Sequence, residues 1–166
     1  MAEAGLLGVD DRVELVEGEI IDMAPIGSRH AACVDRLTRL FVSRLGERAI
    51  VRVQSPVRMG DLSEPQPDVA VLAPRGDFYA GAHPGPDDVV LVVEVADTTL
   101  GWDRGVKVPL YARAGVAEVW VVDVGAGVVE VSRRPGPEGY GELRRAGRGE
   151  ELDVAGATVG VDEILG

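Results

Sequence analysis

Residues 88–96 read DVVLVVEVA, and the run from Val89 to Val93 within them is entirely apolar. A half-exposed strand alternates apolar and polar residues, whereas a strand covered on both faces shows a continuous apolar run. The stretch therefore predicts the central strand of a sheet that carries other structure on each face. Glu94 stands out in it, because an acidic side chain interrupts the most hydrophobic strand of the chain.

The segments on either side of this strand predict the layers that cover it. We expect a hairpin (14–25), a helix from Ser28, as N-cap, to Gly46, one or two strands interrupted by Pro56 (49–59), a strand (69–73), a helix (roughly 101–114), two paired strands (117–124 and 127–134) and short strands near 140–146 and 156–160. This order predicts an α/β (α+β) fold, with a mixed sheet and a helix on each side.

Length and composition limit the class of protein. A chain of 166 residues has the size of one domain with one core, so a single domain over 1–166 is expected. Cys33 is the only cysteine, which excludes an internal disulfide and a cysteine-rich zinc site. No apolar run is long enough to span a membrane, and the N-terminal residues do not resemble a secretory signal, so a cytoplasmic location is expected.

The formal net charge of -11 argues against a protein that coats nucleic acid, since such binding depends on phosphate neutralisation by Lys and Arg. A local site remains compatible with this charge, because carboxylates that bind a divalent cation also make a chain acidic. The glycine-rich signatures GxGxxG and GxxxxGK[ST] do not occur, nor does the nucleophile elbow GxSxG. Nucleotide cradling and serine-hydrolase chemistry therefore have no support.

Three ionisable residues are candidates for chemistry. Asp68 begins a short apolar strand, Glu94 lies near the end of the central strand, and Lys107 lies on the helix that follows. One interpretation is structural: Glu94 pairs with an arginine or projects from the solvated end of its strand, and Lys107 is a solvated helix residue. The other is that Asp68 and Glu94 hold a hard divalent cation, with the carbonyl of Val95 as a further oxygen ligand.

Lys107 is the only lysine in the chain. Its compact ammonium can orient a metal-bound water or stabilise charge on phosphorus, which the planar guanidinium of arginine does less well. Asp103, Lys107 and Tyr111 recur every four residues and should share one helix face. Pro109 cannot donate to the carbonyl of Gly105, so a kink or an irregular first turn is expected.

Four blocks of the sequence resemble the Uma2 family of endonucleases, within the PD-(D/E)XK nuclease superfamily. They are ELVEGEIIDMAP with the following G and H (14–30), QPDVAVL (66–72), LVVEVADTT (91–99) and DRGVKVPLYARAGVAEVWVVD (103–123). The similarity runs in order from about residue 11 to 134, and the last block is the most specific. Residues 135–166 then form a polar, β-rich C-terminal extension.

The resemblance implies a central four-stranded mixed sheet flanked by helices and assigns Asp68 and Glu94 as its acids. In the usual pattern a lysine lies two residues after the second acid, where this chain has Ala96; Lys107 matches the displaced lysine of Uma2-like sequences. Glu14 matches a recurrent hairpin acid. His30 and Gln66 are expected to support the site, with Asp103 and Tyr111. The family's Ser-Pro-Ser/Thr turn is replaced by Asp97-Thr98-Thr99.

The function implied is a Mg²⁺- or Mn²⁺-dependent endonuclease that hydrolyses phosphodiester bonds of DNA. A homodimer is expected, because cutting both strands of a duplex uses two sites. Two alternatives stay open: a catalytically degenerate, nuclease-like interaction module, and a hydrolase of a small phosphodiester. The acidic net charge and the altered 97–99 turn favour the first alternative, and the acidity also suits the second.

Overall fold

The computed structural model describes Gly8 and residues 10–166. In this part of the chain the strands are β1 (Val13–Val16), β2 (Glu19–Asp22), β3 (Ile50–Val53), β4 (Val69–Leu72), β5 (Val89–Ala96), β6 (Glu118–Asp123), β7 (Val128–Gly136), β8 (Gly139–Gly147), β9 (Glu151–Val154) and β10 (Ala157–Gly160). The helices are α1 (Ser28–Leu45), α2 (Leu100–Trp102), a π-helical turn (Asp103–Lys107), α3 (Val108–Ala114) and α4 (Val161–Leu165). Short 3-10 turns lie at Gly46–Arg48 and Pro86–Asp88.

The main sheet has the strand order β3-β4-β5-β6-β7-β8. β5 and β6 are parallel and every other neighbouring pair is antiparallel, so the sheet is mixed. The predicted α/β class, with a central mixed sheet flanked by helices, is confirmed. The sheet has six strands rather than four, because β3 and β8 extend it at either edge. β1 with β2, and β9 with β10, form separate antiparallel hairpins.

The prediction of a central strand is confirmed for β5, which pairs with β4 on one side and β6 on the other. Side chains alternate along a strand, so each face of the sheet receives every second residue. Leu91, Val93 and Val95 pack towards α1, whereas Val92 packs on the opposite side with Tyr111 of α3. Both faces of β5 are therefore buried, as its continuous apolar run requires.

α1 packs on the first face through a stripe of buried residues, Cys33, Val34, Leu37, Phe41 and Leu45. The ring of Phe41 lies 5.9 Å from that of Trp120 on β6, measured between centroids. Ser28 was predicted as the N-cap, but the cap is Gly27 and Ser28 is the first helical residue, without a side-chain capping bond. Gly27 has an extended backbone and is therefore the cap, one residue before Ser28, whose hydroxyl had led to the prediction.

The segment 49–59 forms one strand, β3, and no strand follows Pro56 within it. The chain leaves the sheet at Gln54, whose φ is 47°, and then bonds to loop residues instead of to a strand. In 135–166, the structure adds β9 and α4 to the predicted strands. Leu152, Val159 and Ile164 are buried in the same core as α1, so this part of the chain packs into the main body.

Candidate active site

Asp103 and Lys107, which the sequence singled out, lie in an irregular stretch of helix. The amide of Val108 donates to the carbonyl of Asp103, a bond of the π type that spans five residues. This is the irregularity that Pro109 predicted, since proline cannot supply the next regular bond. The π turn directs Asp103 and Lys107 inward, and both are buried.

Lys107 lies between two buried carboxylates. Its Nζ is 2.8 Å from Glu94 Oε1 and 3.2 Å from Glu14 Oε2. Only 4% of Lys107, 2% of Glu94 and 6% of Glu14 is exposed to solvent. Burial opposes the charge of the ammonium, but Glu94, Glu14 and Asp103 together outweigh that effect and raise the pKa of Lys107. Lys107 therefore carries a proton in this site.

Glu94 reaches this cluster because of strand alternation. It lies on the same face of β5 as Val92, and helix α3 packs on that face. The Tyr111 hydroxyl donates to Glu94 Oε1 at 2.7 Å, so the same oxygen meets both Tyr111 and Lys107. Burial raises the pKa of the Glu94 carboxyl above its usual range, and the Lys107 charge offsets part of that rise.

Asp68 precedes β4, which is the strand next to β5. Its Oδ2 accepts the backbone N–H of Val95 at 2.8 Å, and its Oδ1 lies 3.0 Å from His30 Nε2. The hydrogen bond between the His30 imidazole and Asp68 raises the pKa of His30, and partial burial of the ring offsets part of that rise. N–H and C=O groups of one residue point to the same side of an extended strand, so the Val95 carbonyl faces Asp68 as well.

The β1–β2 hairpin brings Glu14 to the cluster although the hairpin lies outside the main sheet. Gln66 holds the hairpin through two hydrogen bonds. The backbone N–H of Gln66 donates to Glu14 Oε2 at 3.1 Å, and the side-chain amide of Gln66 donates to the carbonyl of Val13 at 3.0 Å. An isolated bridge between Leu15 and Glu64 holds the same strand. Gln66 therefore orients the Glu14 carboxylate towards Lys107.

Asp103 is the fourth acid of the cluster. Burial raises the pKa of its carboxyl to about 6, against lowering contributions from Thr99 and Lys107. The Thr99 hydroxyl donates to Asp103 Oδ2 at 2.7 Å. The sequence prediction did not include Thr99, although the signal was present: it ends the turn at 97–99 and lies four residues before Asp103, which is one helical turn.

These side chains surround one pocket of about 410 Å³. Every predicted site residue lines it except Tyr111, which lies behind Glu94. The remaining lining includes the segment from Ile21 to Ile26, which is apolar apart from Asp22, together with Trp102. Trp102 is half-buried where it lines the pocket. The pocket therefore combines a charged floor with an apolar side.

In the described part of the chain, no three His, Cys, Asp or Glu side chains are arranged around a single position that would suit a metal ion. The donor chemistry nevertheless fits a hard cation. Asp68 and Glu94 come from adjacent strands into the same pocket, and Mg²⁺ is commonly held by one or two carboxylates while it keeps several waters. No helix among the described residues is long and apolar enough to cross a membrane.

Comparisons with known proteins agree with this architecture. No curated protein matches the chain. Among solved structures, the chain resembles one described as a "putative nuclease belonging to DUF820" from Anabaena variabilis ATCC 29413, with a TM-score of 0.74 and 15% sequence identity, over 98% of this chain and 94% of that one. At this identity the likeness concerns the fold. The Uma2 family model, described as "Putative restriction endonuclease", matches residues 5–162, and the chain therefore belongs to the Uma2 family.

Proposed function

We propose that this protein is a metal-dependent endonuclease of the PD-(D/E)XK type, a single nuclease domain over 1–166 that hydrolyses phosphodiester bonds of DNA. One observation carries the proposal: a buried lysine lies 2.8 Å from Glu94, in a pocket that Asp68 also lines. The description of the Uma2 family as "Putative restriction endonuclease" supports it. So does the described nuclease character of the structural neighbour.

Asp68 and Glu94, with the Val95 carbonyl, are the residues that would hold Mg²⁺ or Mn²⁺. When bound, such an ion would polarise a phosphoryl oxygen and lower the pKa of a coordinated water. The chain already restrains both carboxylates: the Val95 N–H and His30 hold Asp68, and Tyr111 holds Glu94. Ligands that are held in advance lose less freedom when the ion binds.

Lys107 supplies the positive charge of the site. Hydrolysis of a phosphodiester builds negative charge on the phosphoryl oxygens, and a fixed ammonium in a buried site stabilises such charge more strongly than water does. Glu14 and Glu94 hold the ammonium on the pocket floor. We assign Lys107 this role, together with orientation of the attacking water, and we assign Glu14 the positioning of Lys107.

Asp103 is suited to proton transfer. Its pKa of about 6 lies close to neutral pH, where a carboxylate can accept a proton from water and release it again. Thr99 holds one of its oxygens, which leaves the other available to the pocket. We assign Asp103 the proton that the attacking water loses.

The test is cleavage of mixed single-stranded and duplex DNA in Mg²⁺, in Mn²⁺ and in EDTA. We expect cleavage with either ion and none in EDTA. Asp68→Ala should abolish it, whereas Asp61→Ala, which removes a carboxylate that is almost fully exposed, should leave it unchanged. Cleavage that survives Asp68→Ala rejects the assignment of the site.

The pocket volume of about 410 Å³ favours one second candidate, a hydrolase of a small phosphodiester. A panel of cyclic dinucleotides and short oligonucleotides separates it from the first, because a small-substrate enzyme cleaves the former and leaves long DNA intact. The remaining alternative is a non-catalytic interaction module. Calorimetric titration with Mn²⁺ tests it: a degenerate site shows no specific binding that depends on Glu94.

Two further properties belong to the same proposal. A nuclease that cuts both strands of a duplex is expected to act as a homodimer, which sedimentation with and without duplex DNA would test. A cytoplasmic location suits a chain whose only cysteine, Cys33, is a buried free thiol. Fractionation of the producing cells would test it.

A further inference from the structure

A second pocket, of about 310 Å³, has the opposite electrostatic character to the rest of the chain. Arg29, Arg36 and Arg148 line it, and no Asp or Glu side chain does so among the described residues. The chain as a whole has a net charge of -11. The three arginines therefore concentrate positive charge at one place on an acidic chain, as anion binding needs.

The arginine pocket adjoins the candidate active site. Arg29 and His30 are neighbours in the first turn of α1; the former lines the arginine pocket, and the latter lines the active-site pocket. Arg29 also spans the carboxyl ends of the two parallel strands, since it pairs with Asp97 after β5 and donates to the Val124 carbonyl after β6, each at 3.4 Å. Ligands of open α/β sheets bind beyond such strand ends.

The guanidinium groups keep donors to spare. Arg36 donates to the Leu165 carbonyl at 2.8 Å, and among described residues it makes no ion pair with a side chain. Arg148 meets Asp162 at 2.9 Å and the Gly166 carbonyl at 3.2 Å. A guanidinium has about five N–H donors in a fork that fits phosphate, so these bonds do not exhaust either group.

The first turn of α1 adds a second feature that favours an anion in the arginine pocket. Its N-cap, Gly27, offers no side chain, and no acidic residue lies in the turn. No side chain caps this end of the helix, where Ser28 lines the pocket, and the positive end of the helix dipole favours an anion there. The helix end would reinforce the arginines towards an anion.

We infer that this pocket binds a backbone phosphate of the nucleic acid strand whose scissile phosphodiester lies at Asp68, Glu94 and Lys107. The inference rests on the proposed function and adds to it the surface that positions the strand. It also answers how so acidic a protein can hold a polyanion: contact is confined to a few arginines beside the site, and the remaining acidic surface repels DNA elsewhere.

The experiment measures binding of a fluorescein-labelled 20-nucleotide DNA, single-stranded and duplex, by anisotropy in EDTA at several salt concentrations. Binding in EDTA does not depend on catalysis. The double variant Arg36→Gln/Arg148→Gln should bind about tenfold more weakly. The slope of log affinity against log salt should fall by about 1 for each phosphate that the variant no longer neutralises.

Two controls separate phosphate binding from other causes. Arg134→Gln removes an arginine charge near the β7–β8 turn, beside the start of β6 and thus at the end of the strands opposite to the pocket, and should change affinity less than twofold. Arg36→Lys/Arg148→Lys keeps the charges but removes the guanidinium forks that anchor α4, and should retain most of the salt slope.

Three results would overturn the inference: unchanged binding by the double glutamine variant, an equal loss of affinity with Arg134→Gln, or an equal fall in the salt slope with the double lysine variant, which keeps both charges. Metal-dependent cleavage by the wild type tests the proposed function separately. Weaker binding by the glutamine variant with no metal-dependent cleavage by the wild type keeps the arginine site and rejects the nuclease. Metal-dependent cleavage by the wild type, together with unchanged binding by the glutamine variant, keeps the nuclease and rejects the arginine site.

Discussion

Replacing Lys107 with methionine should destabilise the protein strongly and in a pH-dependent way. The side chain is almost entirely buried, and its ammonium lies 2.8 Å from Glu94 and 3.2 Å from Glu14. Methionine fills similar space, so the loss is one of charge rather than of packing. Removing one partner of a buried ion pair costs about 3–5 kcal/mol, because the remaining charge stays buried without compensation.

The pH dependence follows from the raised pKa of Glu94. Lys107 lowers that pKa, so the methionine variant raises it further. A folded-state carboxyl with a raised pKa binds more protons than its unfolded counterpart above the unfolded pKa, which makes stability fall as pH rises. The wild-type carboxyl has a pKa of about 8, so the variant's loss of stability relative to the wild type should be largest at pH 9, at about 3 kcal/mol, and should shrink as the pH falls through 8.

Urea denaturation followed by tryptophan fluorescence at pH 6, 7, 8 and 9 measures this difference. The matched control is Arg113→Met on α3, which removes a cation from a pair with Glu17 that is about half-exposed. An exposed pair contributes at most about 1 kcal/mol. A loss below about 1 kcal/mol for Lys107→Met at every pH, or a loss that grows as pH falls, would refute the reasoning.

Three further changes test separate parts of the structure. Tyr111→Phe should cost about 2 kcal/mol, because its hydroxyl donates to a buried carboxylate, whereas Tyr140→Phe, whose hydroxyl donates to the Val116 carbonyl, should cost about 1 kcal/mol in urea denaturation. Burial raises the pKa of the Cys33 thiol to about 11, so a disulfide reagent at pH 8 should modify it only after urea is added. Rapid modification in native buffer would contradict its burial. Gly115 ends α3 with φ 90°, so Gly115→Ala should lower the melting temperature by an amount equivalent to about 1 kcal/mol, whereas Gly101→Ala, without such a φ, should not.

The parts of the fold that the sequence predicted well depend on local patterns. The apolar run of β5 requires burial on both faces, and the stripe of α1 requires a sheet beneath it. Helical spacing likewise indicated that Lys107 and Tyr111 share a face. Pro109 predicted an irregular turn, although only the structure gives its π geometry.

The contacts that complete the site depend on distant parts of the chain, so sequence pattern did not predict their geometry. Glu14 approaches Lys107 because Gln66, which is separated from Glu14 by 52 positions in the chain, fixes the hairpin. His30 reaches Asp68 from the opposite helix layer. α4 was missed because five residues are too few to show a helical period, and its position depends on packing against α1.

The central claim is that Asp68, Glu94 and Lys107 form one catalytic site, and single-turnover DNA cleavage by Lys107→Met tests it most directly. The measurement is made with Mn²⁺ at a temperature where circular dichroism shows the variant to be folded, beside the wild type and Asp68→Ala. We predict that both variants cleave at least about 100-fold more slowly than the wild type, since Lys107→Met lacks the cation that stabilises developing charge and Asp68→Ala lacks a carboxylate that would hold the metal ion. Cleavage at the wild-type rate by Lys107→Met, while Asp68→Ala is inactive, would show that the single lysine of this chain has no part in the chemistry.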